Sequence, residues 1–407
     1  MKSSPDADIV LVPHTHWDRE WYEPHEVFRL RLVHVLDDVL DRLDQDPEFR
    51  FTLDGQAMAI QDYLEIRPGS RARVERLVTD GRLAIGPFLI LLDEFGCDGE
   101  TIVRNLELGG TAAGRLGAVM HVGYLPDMFG HTAQMPQILR GFGIEHAALW
   151  RGVPDAVREH AFTWSAPDGS TVRTEYLFDG YGSALDMFAV PGRLAELSAQ
   201  YRHRTRSWYG EEAVVGMLGT DHSAPAADLM ERVREHNTQA PATGAPRIRV
   251  VTVGEHLLAG STERASTAVV HGELRSHARG NLLPGVFSIR TNLKAEMAAA
   301  ELALTRAERL DALFSDEDHR GSPTRTTAPS STSPGSGSSR AAPTTPSPAA
   351  GSTRLPTRCP RAWLRRRTSA ERSPSGSPVV WPPRCRPTRT SSSTPCRGRG
   401  PSRPRWS

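Results

Sequence analysis

The sequence predicts an α/β fold: a barrel-like, mostly parallel sheet with helical cover, followed by the start of a helical bundle and a disordered tail. Three observations predict it. Short apolar runs alternate with amphipathic stretches. Several of those runs end in clusters of His, Asp, Arg and Trp. The composition then breaks: from His319 onward there are 17 arginines, no lysine, one acid (Glu371), 16 of the 31 prolines and three of the four cysteines.

The first run, Ile9–Val12, closes at Pro13 and reads as a buried strand. Glu26–Leu43 follows with Phe28, Leu32, Val35, Leu36, Val39, Leu40 and Leu43 at helical spacing. Further strands are expected at Arg50–Leu53, Leu83–Ile85, Val119–Tyr124, His146–Trp150 and Val214–Leu218. Helices are expected at Gln56–Ile66, Arg71–Thr79, Gly99–Leu116, Gln134–Phe142 and Asp228–Asn237. Strands interleaved with helices imply parallel pairing under helical cover. Phe162–Trp164 and Val172–Leu177 flank Pro167-Asp168-Gly169, a hairpin signature. Asn292–Phe314, rich in Ala, Leu and Glu, reads as the first helix of a second, helical domain. The expected divisions are 1–265, 266–316 and 317–407.

The net charge of +1 is a cancellation. The tail carries +16, leaving 32 basic and 47 acidic side chains before it. No apolar run approaches the roughly 18 residues of a membrane span, and the N-terminal lead offers only Ile-Val-Leu-Val, too short for a secretory core. One cysteine before the tail, Cys97, excludes a disulfide framework and fits a reducing compartment. A cytoplasmic protein is expected.

In open α/β sheets and barrels, ligands bind at the carboxyl ends of strands. Here four such ends are polar: His14-Thr15-His16-Trp17-Asp18 with Trp21, Asp127-Met128-Phe129-Gly130-His131, Trp150-Arg151, and Thr220-Asp221-His222. His16-x-Asp18 offers imidazole and carboxylate, a donor pair suited to zinc, although alone it equally fits surface polarity. Asp127 reads either as a loop cap or as a reactive carboxylate. Arg151 reads either as a surface cation or as the partner that keeps a carboxylate ionised.

Taken in order, HTHWDREW, YLPDMFGH, the Trp150-Arg151 step, GTDH and HGELRSHARGNLLPGVFSIRTNLK resemble the glycoside hydrolase family 38 α-mannosidases, in their bacterial cytosolic branch. The segment from Gly86-Pro87-Phe88 through Asp93-Glu94-Phe95 to Arg104-Asn105 fits the same pattern. The resemblance spans Ile9 to Phe314. It implies a retaining glycosidase with a zinc ion in the sugar site. His16 and Asp18 match zinc ligands, and Asp127 matches the nucleophile, which also touches the metal. Arg151 matches the arginine on that nucleophile, Trp21 the aromatic floor under mannose, and Phe129 a residue lining the same subsite. Asp221 matches the acid/base, with His222 beside it. The family's fourth zinc ligand, a histidine, falls near Asn281, whose amide oxygen either binds zinc or caps the following turn. His131 either caps the next helix or supports the Asp127 loop. An α-mannoside or oligosaccharide substrate is expected, with no membrane partner, and nucleic acid is not expected as a partner.

Two other readings stand beside this one. A metal-dependent deacetylase or amidohydrolase would use His14-x-His16 to bind metal and activate water. A non-catalytic truncated remnant would bind zinc or sugar without turnover. The tail reads as out-of-frame sequence from a GC-rich gene, with a basic arm for polyanions as the competitor.

Overall fold

A computed structural model describes residues 8–259 and 268–314; the tail beginning at 317 lies outside the described residues. The described residues hold ten strands in two five-stranded sheets. In the first sheet, β1 (Ile9–Thr15) is the central strand. Its neighbours are β2 (Phe51–Leu53), β8 (Val214–Leu218) and β9 (Ile248–Val250), with β3 (Leu83–Ala84) beside β2. Every residue of β1 is buried, as a strand covered on both faces requires. The second sheet runs β10 (Val269–His271), β6 (Ala161–Ser165), β7 (Thr171–Tyr176), β5 (His146–Leu149) and β4 (Gly123–Leu125). All pairings are parallel except the β6–β7 hairpin. At the hairpin turn, Asp168 Oδ1 accepts from the Ser170 N–H at 2.9 Å and Gly169 takes φ +88°.

The helices are α1 (His25–Gln45), α2 (Met58–Ile66), α3 (Arg71–Thr79), α4 (Gly99–Gly114), α5 (Met135–Gly141), α6 (Leu185–Phe188), α7 (Leu194–Tyr209), α8 (Leu229–Thr243), α9 (Val253–Ala259) and α10 (Thr291–Phe314). The α1 stripe packs on the first sheet through Phe28, Leu32, Leu36, Val39, Leu40 and Leu43, all fully buried. A second core joins Ile102 and Leu106 of α4 and Met135 and Leu139 of α5 to Phe162, Trp164 and Tyr176 of the other sheet. Asp98 caps α4 by accepting from the Thr101 N–H at 2.7 Å. Against the same corner, Glu301 of α10 accepts from Asp98 N–H and the Thr101 hydroxyl at 3.0 and 2.8 Å. None of the described helices is long and apolar enough to cross a membrane.

Several elements depart from the sequence expectation. The ladder expected from Val119 begins at Gly123, because the chain turns first, with Val122 N–H donating to Met120 O and Tyr124 N–H to Val122 O, both at 2.8 Å. The short strands β9 and β10 and the helices α6, α7 and α9 were not expected. In α7 the buried positions are Leu194, Ser198, Tyr201, Thr205 and Tyr209. Two of them are hydroxyl residues that satisfy themselves within the helix: Ser198 on Ala195 O and Thr205 on Tyr201 O, at 3.0 and 2.8 Å. An apolar-only pattern overlooks such a stripe.

Candidate active site

Strand register assembles the site. In β1 and β2, Thr15 pairs with Leu53, so the next residues, His16 and Asp54, are neighbours. His16 Nδ1 lies 3.0 Å from Asp54 Oδ2. On the other side Pro13 pairs with Leu218, and three residues on His16 bridges Asp221. In the second sheet Leu125 pairs with Leu149. Two residues beyond each, Arg151 Nε donates to Asp127 Oδ1 at 2.5 Å. Parallel strands in register carry their following residues to the same edge, which is why strand-end side chains separated widely in sequence meet here.

His16 turns its other nitrogen toward two carboxylates: Nε2 is 3.6 Å from Asp18 Oδ1 and 4.0 Å from Asp127 Oδ2. Asp18 is held by His222, whose Nε2 accepts the Asp18 N–H at 3.1 Å. Asp221 Oδ1 accepts from the Tyr181 hydroxyl at 2.9 Å. Arg151 also donates through Nη1 to the Asn281 carbonyl at 2.5 Å and lies 3.9 Å over the Trp150 ring and 5.9 Å from that of half-buried Phe129. Trp21 is 65% exposed beside Tyr22 and His222, with ring centroids at 5.1 and 6.3 Å.

The electrostatics follow from burial set against these partners. Burial pushes the Asp127 carboxyl above the usual range, against the pull of His16 and Arg151, with Asp18 adding to the rise. Burial also opposes charge on His16, yet Asp54 and Asp18 outweigh it and raise its pKa well above normal. Asp54, likewise buried, sits below the normal range because His16, the Trp17 N–H and Gln56 stabilise its charge. His14, fully buried, is shifted down by that burial. Its Nε2 is 2.6 Å from the Tyr181 carbonyl, an acceptor only, so Nε2 carries the proton.

Among the described residues no three His, Cys, Asp or Glu side chains close into a ready cation cage. His16, Asp18 and Asp127 nevertheless have the donor chemistry of a zinc site. Tetrahedral bonds of about 2.1 Å put donor atoms roughly 3.4 Å apart. The His16–Asp18 contact is close to that spacing, and the His16–Asp127 contact is about half an ångström wider. A cation there would also offset the burial that raises Asp127. The donor types suit the ion, and both contacts of His16 Nε2 lie near the spacing it needs.

All the site residues expected from sequence lie at strand ends or in the loops that follow them. His16, Asp18, Asp127, Arg151, Asp221 and His222 are joined by the contacts above, and Trp21 and Phe129 lie beside His222 and Arg151. Asn281 joins through its backbone carbonyl, while its Oδ1 accepts from the Leu283 N–H at 3.0 Å, the turn-capping role. His131 makes its contacts elsewhere than at the start of α5: Nδ1 is 2.7 Å from Glu94 Oε1, and its backbone exchanges two 3.0 Å bonds with Leu274. Two residues were overlooked in the sequence, Asp54 and Tyr181, while Glu94 stood out only as part of the Asp93-Glu94-Phe95 segment, with no role attached. Asp54 carried a readable signal, since Leu53-Asp54-Gly55-Gln56 is another polar strand end.

The fold and site together define a class: an α/β protein whose parallel strands end in carboxylates, imidazoles and an exposed tryptophan, with the paired carboxyl groups that glycoside hydrolases use. The comparisons with known proteins agree. Residues 6–273 match the family model described as "Glycosyl hydrolases family 38 N-terminal domain". A putative mannosylglycerate hydrolase of Halalkalibacterium halodurans is 34% identical over 245 residues, 57% of this chain and 27% of that protein. Mouse alpha-mannosidase 2C1 is 23% identical over 273 residues, 65% of this chain and 25% of its own length. The crystal structure of an alpha-mannosidase from Enterococcus faecalis V583 superposes with a TM-score of 0.62 at 30% identity, covering 67% of this chain and 31% of that one. The chain belongs to glycosyl hydrolase family 38, and what it matches is about a quarter of the length of these curated relatives.

Proposed function

We propose that this chain is the N-terminal catalytic part of a zinc-dependent, retaining α-mannosidase, with the catalytic domain at 1–265 and the start of a helical bundle at 266–316. The observation that carries this reading is the convergence of Asp18 and Asp127, the latter held by Arg151, on His16 Nε2. His16, Asp18 and Asp127 would hold a zinc ion, joined by Asn281 if its Oδ1 leaves the Leu283 N–H, and the ion would supply positive charge at the sugar site.

The chain's own residues account for the rest. Asp127 attacks the anomeric carbon and forms a glycosyl ester as the glycosidic C–O bond breaks. Asp221 gives its proton to the departing oxygen, then takes one from the water that cleaves the ester. The Tyr181 hydroxyl holds Asp221 in place for both transfers. Arg151 aligns Asp127 and balances its charge before attack. Trp21 offers an exposed indole face for the sugar, and Phe129 lines the same side.

The names of the similar proteins point to an α-linked mannoside as substrate. The single cysteine before the tail supports a cytoplasmic location. The deacetylase reading would need His14 to bind the metal through Nδ1, because Nε2 is committed to the Tyr181 carbonyl. The test is hydrolysis of a chromogenic α-mannoside by zinc-supplemented protein, with Asp127→Ala as comparison and the first-formed anomer read by NMR. Turnover with retention, lost in the variant, is expected. A folded, zinc-loaded protein without turnover would favour the non-catalytic reading, and turnover unchanged in Asp127→Ala would refute the nucleophile assignment.

A further inference from the structure

Asp54 is fully buried at the end of β2 and carries φ +52°. A residue other than glycine in that region is uncommon and costs backbone energy, and such strain collects where surrounding contacts impose it. Here the contacts are specific. Asp54 Oδ2 accepts from the Trp17 N–H at 3.0 Å and from Gln56 Nε2 at 2.9 Å, and lies 3.0 Å from His16 Nδ1. Gln56 Nε2 also donates to the Trp17 carbonyl at 2.8 Å. The residue between them, Gly55, approaches the other sheet so closely that a Cβ there would sit 2.4 Å from the Tyr124 carbonyl, three residues before Asp127. One turn thus holds the His16 loop by hydrogen bonds and lies closely against the strand that presents Asp127.

We propose that Asp54 is a positioning residue: it fixes the His16 ring so that the proton sits on Nδ1 and Nε2 is offered to a divalent cation shared with Asp18 and Asp127. A carboxylate on the far nitrogen sets both the tautomer and the rotation of a ligating imidazole and makes it a better donor. The strained backbone follows from this role, because it aims the carboxylate back at β1. The inference rests on the zinc reading above, and its test separates the two.

Zinc affinity of the full chain is measured by competition with a chromophoric chelator for wild type, Asp54→Gly, Asp54→Asn and His16→Ala, with circular dichroism melting as the folding readout. Glycine adopts φ +52° without strain, so Asp54→Gly removes the carboxylate and leaves the turn intact. Asparagine also tolerates this conformation and keeps an acceptor oxygen. The expected result is a roughly 10- to 100-fold loss of affinity in Asp54→Gly, in line with other outer partners of ligating histidines, with partial rescue in Asp54→Asn and a larger loss in His16→Ala. Zinc affinity in folded Asp54→Gly and Asp54→Asn within twofold of wild type, with His16→Ala impaired, overturns the positioning role and leaves the zinc reading standing. Equal affinity in wild type and His16→Ala, or none in wild type, overturns the zinc reading and this inference with it. Should Asp54→Gly not fold, Asp54→Asn decides by the same criterion.

Discussion

Arg151 Nε donates to Asp127 Oδ1 at 2.5 Å, and each residue stands two positions beyond a paired leucine, Leu149 in β5 and Leu125 in β4. The contact is therefore a property of strand register, and it anchors the first prediction. Arg151 also reaches the Asn281 carbonyl through Nη1. Lysine has a single ammonium that cannot serve both acceptors in the fork geometry. Arg151→Lys should lower kcat roughly 100-fold, the scale for losing one preorganised charged donor, with a smaller change in KM. Steady-state kinetics on a chromogenic α-mannoside check this, and an unchanged kcat would rule the role out.

Trp21 is large, apolar and 65% exposed, so little folding energy depends on it. Trp21→Ala should leave the melting temperature nearly unchanged, within about 0.5 kcal/mol, and raise KM about tenfold through the lost stacking face. A variant that melts much earlier with KM intact would make Trp21 a structural residue.

Glu175 of β7 is fully buried, 3.0 Å from His160 Nδ1, 3.1 Å from Arg173 Nη2 and 3.3 Å from the Tyr209 hydroxyl. Burial works to raise its pKa, but His160 and Arg173 outweigh it and bring the carboxyl from the ordinary 4.5 to about 2. A depressed native pKa gives stability that is present above the unfolded value and lost as pH falls through the native one. Acid melting should therefore be steep between about pH 4.5 and pH 2 in wild type. Glu175→Gln should cost about 3 kcal/mol at neutral pH by taking from Arg173 its buried carboxylate, and the gap should narrow across that window. Parallel stability curves for the two proteins would contradict the assignment.

Gly219 follows β8 and lies against β1: a Cβ there would sit 2.2 Å from the His14 carbonyl oxygen. Gly219→Ala should separate the two strand ends that carry His16 and Asp221, costing about 1–3 kcal/mol from overpacking and lowering activity more than stability alone explains. Chemical denaturation together with kcat/KM tests it. A variant as stable and active as wild type would show that the strand ends yield freely.

Asn281→Ala separates the two readings of that side chain. If its Oδ1 serves the Leu283 turn as in the structure, zinc affinity stays within about twofold; a loss of tenfold or more assigns it as the fourth donor.

Much of the fold was readable because its elements obey one periodicity each. The α1 stripe, the buried run of β1, the β6–β7 turn and the long α10 all stand where their patterns put them. Helix α7 was missed because Ser198 and Thr205 occupy its inner face and satisfy their hydroxyls on their own backbone. The strands β9 and β10 are three residues each, too short to carry an alternation. In the site, His16, Asp18, Asp127, Arg151 and Asp221 could be named from the sequence because each follows an apolar run or belongs to a family motif. Tyr181 could not be named, since it lies beyond the hairpin with no strand of its own to announce it.

By itself the sequence determined which side chains stand at the ends of which strands, because hydrophobic period and strand length are local properties. Only the tertiary structure decided which of those ends meet. Pairing Thr15 with Leu53 brings Asp54 to His16, and pairing Leu125 with Leu149 brings Arg151 to Asp127. Register is set by non-local packing and backbone pairing between segments far apart in the chain. The partner that orients His16 was therefore decided in space, although its letter was in the sequence from the start.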